Sequence, residues 1–469
     1  MTLFLFDWLG FLPEFFLSLV LLFYFMYGIE KDFSWELSIQ GKVILFWVVL
    51  LLIFGWSWVN QTNWSFLFLN SYVVDGWVIT WKVFFLFFIF FFLFFLKKEK
   101  SSFEWFTLVL LFQLATFVLL SASHFLVFYL SLELSSFILY LLVGSRRESL
   151  DSTEAGLKFF VLGSFGSILL LIGVVLCYGI TGTLVFSELI LWSEAGYSPP
   201  YLIALFFFLV GIFFKLGVAP FHFWIPDVYH GSSWSVVYFL VVISKIGMFG
   251  FFLRFVYTVC IIPFEWISFL FFWLAFFSLW IGTLGAVNQV NMKRLIGYSG
   301  ISHMGFLMFG IGIGNGFGLM ATLSYFWLYV SLNSLWILLL WWNQVFSLHK
   351  LKEFFPWFGF LLAVAMFSIT GVPPLSGFFM KYYLWFGLIQ IGNYLIGFLL
   401  VLFSVVAAFY YLRLIRMFFF SGWYWSGSIS DSWREVGSLW FLIFVGYFSL
   451  FFFFFQKYVY VWLLEGIGV

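Results

Sequence analysis

Apolar runs of about 17 to 25 residues recur along almost the whole chain, and the segments between them are short and gather glycine, proline, serine and charge. A run this long and continuous predicts a membrane-spanning helix, because in lipid only a helix or a closed barrel satisfies its own backbone. Barrel strands would instead alternate apolar and polar positions over roughly ten residues. Reading the runs against their breakers gives about fourteen spans, at residues 8–26, 43–59, 77–96, 104–120, 125–143, 158–180, 201–229, 234–257, 264–287, 298–313, 317–341, 357–391, 394–420 and 436–464. The expected architecture is an all-α polytopic membrane protein, a single membrane domain over residues 1–469.

Two of these spans are too long for one crossing and carry helix breakers near their centres. The seventh contains FFKLGVAPFHFWIPDVY, with Gly217 and Pro220 at the break; the twelfth contains ITGVPPLSGFFMKYY, with Gly371, Pro373 and Pro374. Proline removes an intrahelical donor and clashes with the preceding turn, so both should be broken helices hinged at these residues. GVAPF and GVPPL fall on spans five apart, which cross in opposite directions. That is the pattern of an inverted repeat, spans 4–8 (residues 104–257) against spans 9–13 (residues 264–420), with the discontinuous helices at the repeat interface. Three N-terminal spans (1–103) and a C-terminal span (436–464) complete the expected division.

Loop charge agrees with this count. Lys31, Lys42, Lys97, Lys98, Lys100, Arg146, Arg147, Lys158, Lys293, Arg294, Lys350, Lys352, Arg413, Arg416 and Arg434 flank loops that follow odd-numbered spans, 15 of the 21 basic residues. The other side receives Lys82, Arg254 and Lys457. Such segregation satisfies the positive-inside rule with the N-terminus outward. The chain begins MTLFLFDWLGFLPEFF, which lacks the basic region of a signal peptide and the Arg/Ser-rich pattern of a transit peptide, so the first helix is expected to be retained.

Composition narrows the chemistry. The chain is 65% hydrophobic and 9% charged with a net charge of +1, which points to lipid as a partner and gives no reason to expect nucleic acid. Two cysteines, Cys177 and Cys260, in apolar context and without a CxxC pair, predict neither an iron–sulfur centre nor a metal site in this chain. No Walker loop, GxGxxG after a strand or GxSxG is present, so no nucleotide-binding or covalent site is expected. The 77 phenylalanines fit lipid-facing surfaces and a coding bias better than an aromatic binding box.

Four ionisable residues stand out because each sits mid-span: Glu133, Lys215, Lys245 and Lys381. Such a group costs roughly 2.5 to 3.5 kcal/mol on insertion scales, so it is rarely kept without a partner or a task. The four lie at similar depth on four spans. If those spans are neighbours, they form a row of proton-exchanging groups parallel to the membrane. An ion pair at about 4 Å and an effective dielectric of about 20 is worth roughly 4 kcal/mol, so moving Glu133 away from Lys215 could release a proton. The static alternative is that these charges cement the bundle; four groups on separate spans, two of them beside breaks, weigh against it.

Among the five histidines, His222 follows Pro220 and His303 lies near the start of the tenth span. Either could relay protons, since imidazole titrates near pH 6.5, and structural hydrogen bonding is an equal alternative. His124, His230 and His349 fall at span ends and read as interfacial. Glu14 reads as a charge at a helix N-terminus, with a lateral contact to a partner subunit as the alternative. Asp227 is expected to fix a loop.

KLGVAPFHFWIPDVYHGSSWSVVYFLVVISKIGMFGFFLR, NQVNMKRLIGYSGISHMGF and GVPPLSGFFMKYY, co-linear from about residue 132 to 383, resemble the chain 2 family of proton-pumping NADH–ubiquinone oxidoreductase, respiratory complex I. The resemblance implies an antiporter-like membrane subunit that moves protons, driven by redox chemistry elsewhere. Its span-five glutamate falls on Glu133, its span-seven lysine on Lys215, its bridging lysine on Lys245 and its span-twelve lysine on Lys381. It further implies a non-redox translocase subunit, with FMN, iron–sulfur clusters and ubiquinone in the whole complex but no cofactor in this chain. The implied partners are other membrane-arm subunits, including other antiporter-like chains. His230 departs from the glutamate of many relatives, which touches only local loop contacts. The phenylalanine richness suggests a mitochondrial inner membrane, with a bacterial plasma membrane or a thylakoid membrane as alternatives. Two rival readings are a secondary cation/proton antiporter working without redox subunits and a purely structural membrane subunit.

Overall fold

The structure, a computed structural model, describes residues 8, 10–30, 48, 65–95, 103–194, 199–260, 264–342 and 356–420. The expected span at 43–59, apart from Val48, and that at 436–464 lie outside these residues, as do His349 and the loop charges Lys31, Lys42, Lys97, Lys98, Lys100, Lys350, Lys352, Arg434 and Lys457. Helices α1 (Leu12–Glu30), α2 (Gly76–Phe95), α3 (Phe103–Leu120), α4 (Phe125–Val143) and α5 (Leu150–Thr181) are followed by α6 (Phe186–Glu194), α7 (Pro199–Leu216) and α8 (Trp224–Gly231). Then come α9 (Trp234–Thr258), α10 (Phe264–Val287), α11 (Met292–Ile313), α12 (Gly316–Trp342), α13 (Pro356–Thr370), α14 (Ser376–Gln390) and α15 (Tyr394–Phe420).

Nine helices among the described residues are long and apolar enough to cross a membrane, and shorter apolar helices run Leu12–Met26, Glu104–Leu120 and Gly359–Thr370. The fold class is therefore that of a multi-helix membrane protein, while the count of fourteen rests partly on segments outside the described residues. One departure from an all-helical chain is a small antiparallel hairpin, β1 (Ser65–Leu67) and β2 (Tyr72–Val74), before α2.

Two helices begin earlier than their apolar runs. α5 starts at Leu150 rather than 158, because its first turns are polar and laced by the Glu154–Lys158 pair at 2.7 Å, one turn apart. α11 starts at Met292 rather than 298, because the Asn291 side chain accepts from the Lys293 amide at 3.1 Å and caps the helix. Hydrophobicity marks the membrane-buried part of a helix, and its polar extension needs capping chemistry to be seen.

The two breaks are built alike. α7 stops at Gly217 (φ +75°), whose amide bonds Phe214 O at 3.2 Å while the Val218 amide bonds Phe213 O at 3.0 Å. α13 stops at Gly371 (φ +88°), with the Gly371 amide on Ser368 O at 3.0 Å and the Val372 amide on Phe367 O at 3.2 Å. Both are helix-ending motifs that need a left-handed residue, which glycine adopts without a Cβ penalty. A cis proline follows three residues later in each, Pro220 and Pro374, and the next half-helix begins at Trp224 or Ser376.

Burial separates the inside of the bundle from its lipid-facing surface. In α9, α11 and α12, 94% of the spanning residues are buried, against 39% in α5 and 33% in α15. Lys245 is carried on α9, and Lys381 on α14, which packs against α11 and α12.

Candidate proton-transfer site

Glu133 lies midway along α4 and Lys215 in the last turn of α7. The Lys215 Nζ stands 3.7 Å from Glu133 Oε1 and donates to the Tyr140 hydroxyl at 3.2 Å. Glu133 Oε1 makes no hydrogen bond of its own among the described residues. The carboxylate is thus within electrostatic reach of the ammonium without being locked to it.

Lys245 lies two residues after a π-helical turn, Phe239–Ile243, inside α9. Such turns are uncommon and cluster at functional sites. Its Nζ donates to the Tyr329 hydroxyl of α12 at 2.9 Å, beside Gly300 of α11. Lys215 and Lys245 line one cavity of about 50 Å³ together with Thr116, Ser135, Ser136 and Ser244. At about 15 Å³ of probe-occupied space per water, that holds roughly three waters, and the hydroxyls give them partners.

Lys381, in α14, donates to the carbonyl of Thr370, the last residue of α13, at 2.7 Å. It lines a second cavity of about 20 Å³ with His303, Tyr325, Tyr329, Asn333 and Ser368. His303 is tied at both ring nitrogens, Nδ1 to Tyr325 at 2.9 Å and Nε2 to Tyr411 at 3.1 Å. One nitrogen therefore accepts and the other donates when the ring is neutral. Both breaks thus present a half-helix C-terminus, its negative end, to a lysine: Lys215 on α7 itself, and Lys381 reaching back to α13.

Lys215 and Lys245 are brought together on the first cavity, with Glu133 beside Lys215, and His303 and Lys381 on the second. His222 is not joined to them: it is buried at the first break with its ring against Phe223, lines neither cavity, and its Nδ1 has no hydrogen-bond partner among the described residues. Sequence reading missed the tyrosines Tyr140, Tyr325, Tyr329 and Tyr411. A signal existed for part of them, because Tyr325, Tyr329 and Asn333 recur every four residues and so share one face of α12.

Two further readings are corrected. Lys82 is not a loop charge: it is buried within α2, 2.5 Å from the fully buried Glu14 and 2.9 Å from the Tyr72 hydroxyl. Glu14 sits in the first turn of α1, as expected, and there it pairs with Lys82 inside the chain. Asp227 sits in the first turn of α8 and pairs with Lys158 at 3.1 Å and Arg294 at 3.3 Å. Near it, burial and then the adjacent Arg294 hold His230 below the ordinary imidazole range. No group of three His, Cys, Asp or Glu that could hold a metal occurs among the described residues, and both cysteines are buried free thiols.

Broken helices that each deliver a helix C-terminus to a partly buried lysine define a membrane protein of the antiporter-like class. The transmembrane family described as NADH:quinone oxidoreductase/Mrp antiporter matches residues 122–409, a stretch that includes all four mid-span charges. Over 428 residues the chain is 33% identical to NADH-quinone oxidoreductase subunit N of Pelagibacter ubique, covering 87% of this chain and 89% of that one. Over 330 residues it is 38% identical to subunit N of Thiobacillus denitrificans, covering 68% of each. A chain of respiratory complex I from Thermus thermophilus superposes with a TM-score of 0.78 at 27% identity, covering 95% of this chain and 98% of that one. A chain of the archaeal membrane-bound sulfane sulfur reductase shares the fold, with a TM-score of 0.80 at 18% identity over 98% of each chain. The chain belongs to the NADH:quinone oxidoreductase/Mrp antiporter transmembrane family.

Proposed function

We propose that this chain is the proton-translocating, antiporter-like membrane-arm subunit of an NADH:quinone oxidoreductase, complex I, packed beside other antiporter-like subunits. The observation that carries this reading is the cavity shared by Lys215 and Lys245, with Glu133 3.7 Å from the Lys215 ammonium. Lys215 holds a proton while Glu133 is near. When Glu133 moves off, the proton passes through the cavity waters to Lys245 and onward to Lys381. His303 stands on the second cavity as a relay, and His222 at the first break is a candidate for exchange with bulk water.

The driving redox chemistry belongs to other subunits, where FMN, iron–sulfur clusters and ubiquinone reside. Two cysteines are too few to ligate a cluster, so this chain acts as a translocase without a redox centre. It is a multi-pass protein of an energy-coupling membrane. The relatives named above are bacterial, which fits a plasma membrane; composition alone suggests a mitochondrial inner membrane.

The test is gentle solubilisation of the native membrane, isolation of the particle containing the chain, and assay of NADH-dependent quinone reduction. A large active particle with flavin and iron–sulfur signals is expected, in which Lys215→Ala abolishes or severely reduces pumping. A small particle without redox centres would point to a cation/proton antiporter, and intact pumping by Lys215→Ala would remove the role given to Lys215.

A further inference from the structure

The row of charges is interrupted. No residue lines both cavities: Lys215 and Lys245 belong to the first, His303 and Lys381 to the second. What spans the gap is one hydrogen bond, from Lys245 Nζ to the Tyr329 hydroxyl at 2.9 Å. Lys245 lines the first cavity and Tyr329 the second. Beyond Tyr329 the His303 ring lies 5.3 Å away, centroid to centroid, on the same small cavity.

The surroundings favour this junction. Tyr329 is buried on α12. Gly300 faces the pair, and a Cβ there would come within 3.5 Å of Lys245 Nζ and 3.6 Å of the phenol oxygen. The glycine leaves the lysine and the tyrosine side by side without an intervening side chain. On one side of them, Phe326 lies 6.3 Å from the Tyr329 ring and also stacks on Phe249 at 4.3 Å, so that flank of the junction is apolar.

We propose that the Tyr329 hydroxyl is a catalytic proton-transfer group of this chain, the link through which protons pass between its two halves. The inference rests on the translocation reading above and deepens it. A phenol suits the position because it accepts and donates at one oxygen. In the step, a Lys245 N–H bond breaks as its proton binds the phenol oxygen, and the phenol's original O–H proton leaves to a water in the second cavity. That water, now carrying the proton, passes it to His303 or Lys381. Lys245 ends neutral, Tyr329 ends as a neutral phenol, and rotation of its O–H resets the link. No tyrosinate and no oxidant are needed.

The test uses the whole complex in sealed vesicles, with NADH-driven proton uptake and quinone reduction measured beside the amount of assembled particle. Tyr329→Phe keeps the ring and removes the hydroxyl; Tyr329→His changes the shape but restores a group that accepts and donates. The expected result is an assembled Tyr329→Phe complex with proton uptake lowered at least tenfold and partial recovery in Tyr329→His. A packing role predicts the opposite order. Native proton uptake per electron in Tyr329→Phe would overturn the proposal, as would an assembled Tyr329→His complex that pumps no better than Tyr329→Phe. If Tyr329→Phe does not assemble, Tyr329→His carries the test alone: pumping supports the link, and assembly without pumping overturns it. Lys215→Ala in parallel separates the two levels, because native pumping there defeats the translocation reading itself, whereas its loss beside a native Tyr329→Phe defeats only the link.

Discussion

Replacing Glu133 by glutamine keeps the shape of the side chain and removes the charge that faces Lys215. At 3.7 Å and an effective dielectric of about 20, the pair is worth about 4.5 kcal/mol. Because Glu133 is about one-third exposed, screening could bring this down to about 2 kcal/mol. With a tenfold change per about 1.4 kcal/mol, the ammonium at Lys215 becomes roughly thirtyfold to a thousandfold harder to hold. The hydrogen bond that Lys215 donates to Tyr140 remains, so the lysine side chain stays in place. The assay is NADH-driven proton uptake into sealed vesicles containing the assembled complex, read with a pH-sensitive dye beside quinone reduction. Glu133→Gln should lower proton uptake at least tenfold, and Glu133→Asp, whose carboxylate is about one methylene further away, should fall between it and the native chain. Native proton uptake per electron in Glu133→Gln would refute the reasoning, because the electrostatic switch would then have no charge to act through.

Tyr140→Phe removes the 3.2 Å hydrogen bond to Lys215, worth about 1.5 to 3 kcal/mol for a charged donor, and leaves the ring beneath the ammonium. Turnover should fall two- to tenfold with assembly unchanged, as checked by native gel and quinone-reduction rate. Lys82→Met leaves Glu14 buried without its partner and should cost about 3 to 5 kcal/mol, seen as loss of assembled particle. The double variant Glu14→Leu/Lys82→Met should recover assembly, since apolar replacement of a buried pair is often neutral. Gly371→Ala forces a side chain onto a backbone with φ +88° and places a Cβ 3.1 Å from Lys381 Cδ. It should cost about 1 to 2 kcal/mol in thermal stability and depress pumping by displacing Lys381.

The spans and the four mid-span charges were legible because lipid imposes its demand on every residue of a crossing helix. A lysine inside twenty apolar residues is visible without any knowledge of its neighbours. The breaks were legible for a similar local reason, as Gly217 with Pro220 and Gly371 with Pro374 carry their backbone consequences in their own side chains. Lys82 escaped because it lies six residues after Gly76 at the start of its helix and so resembled a boundary charge; only the approach of Glu14, 68 positions earlier, shows it to be interior. The tyrosines escaped because a phenol is unexceptional in a membrane helix until the atom it faces is known. Tyr329 meets Lys245 across 84 positions, and no local pattern encodes that meeting. The polar starts of α5 and α11 were lost for the opposite reason, since a rule tuned to hydrophobicity is blind to a capping asparagine.

If the row carries protons as proposed, the placement of the lysines relative to the breaks explains how a single glutamate would govern it. Lys215 has two stabilising influences, the C-terminal end of α7 and the Glu133 carboxylate. Lys381 has the first kind alone, through the Thr370 carbonyl, and Lys245 has neither, only the Tyr329 phenol. Among the described residues no carboxylate lies within ion-pair distance of Lys245 or Lys381. A helix terminus contributes about 0.3 to 2 kcal/mol, less than the roughly 4 kcal/mol available from Glu133 at 3.7 Å. With Glu133 close, charge is therefore held most firmly at Lys215, and Lys245 is the high point of the path. With Glu133 withdrawn, Lys215 and Lys381 are left with the same kind of support, and the profile along the row becomes nearly level. On the proposed reading, a small lateral movement of one carboxylate on α4 turns a proton store into a proton conduit while Lys215 and Lys381 stay where the two breaks put them.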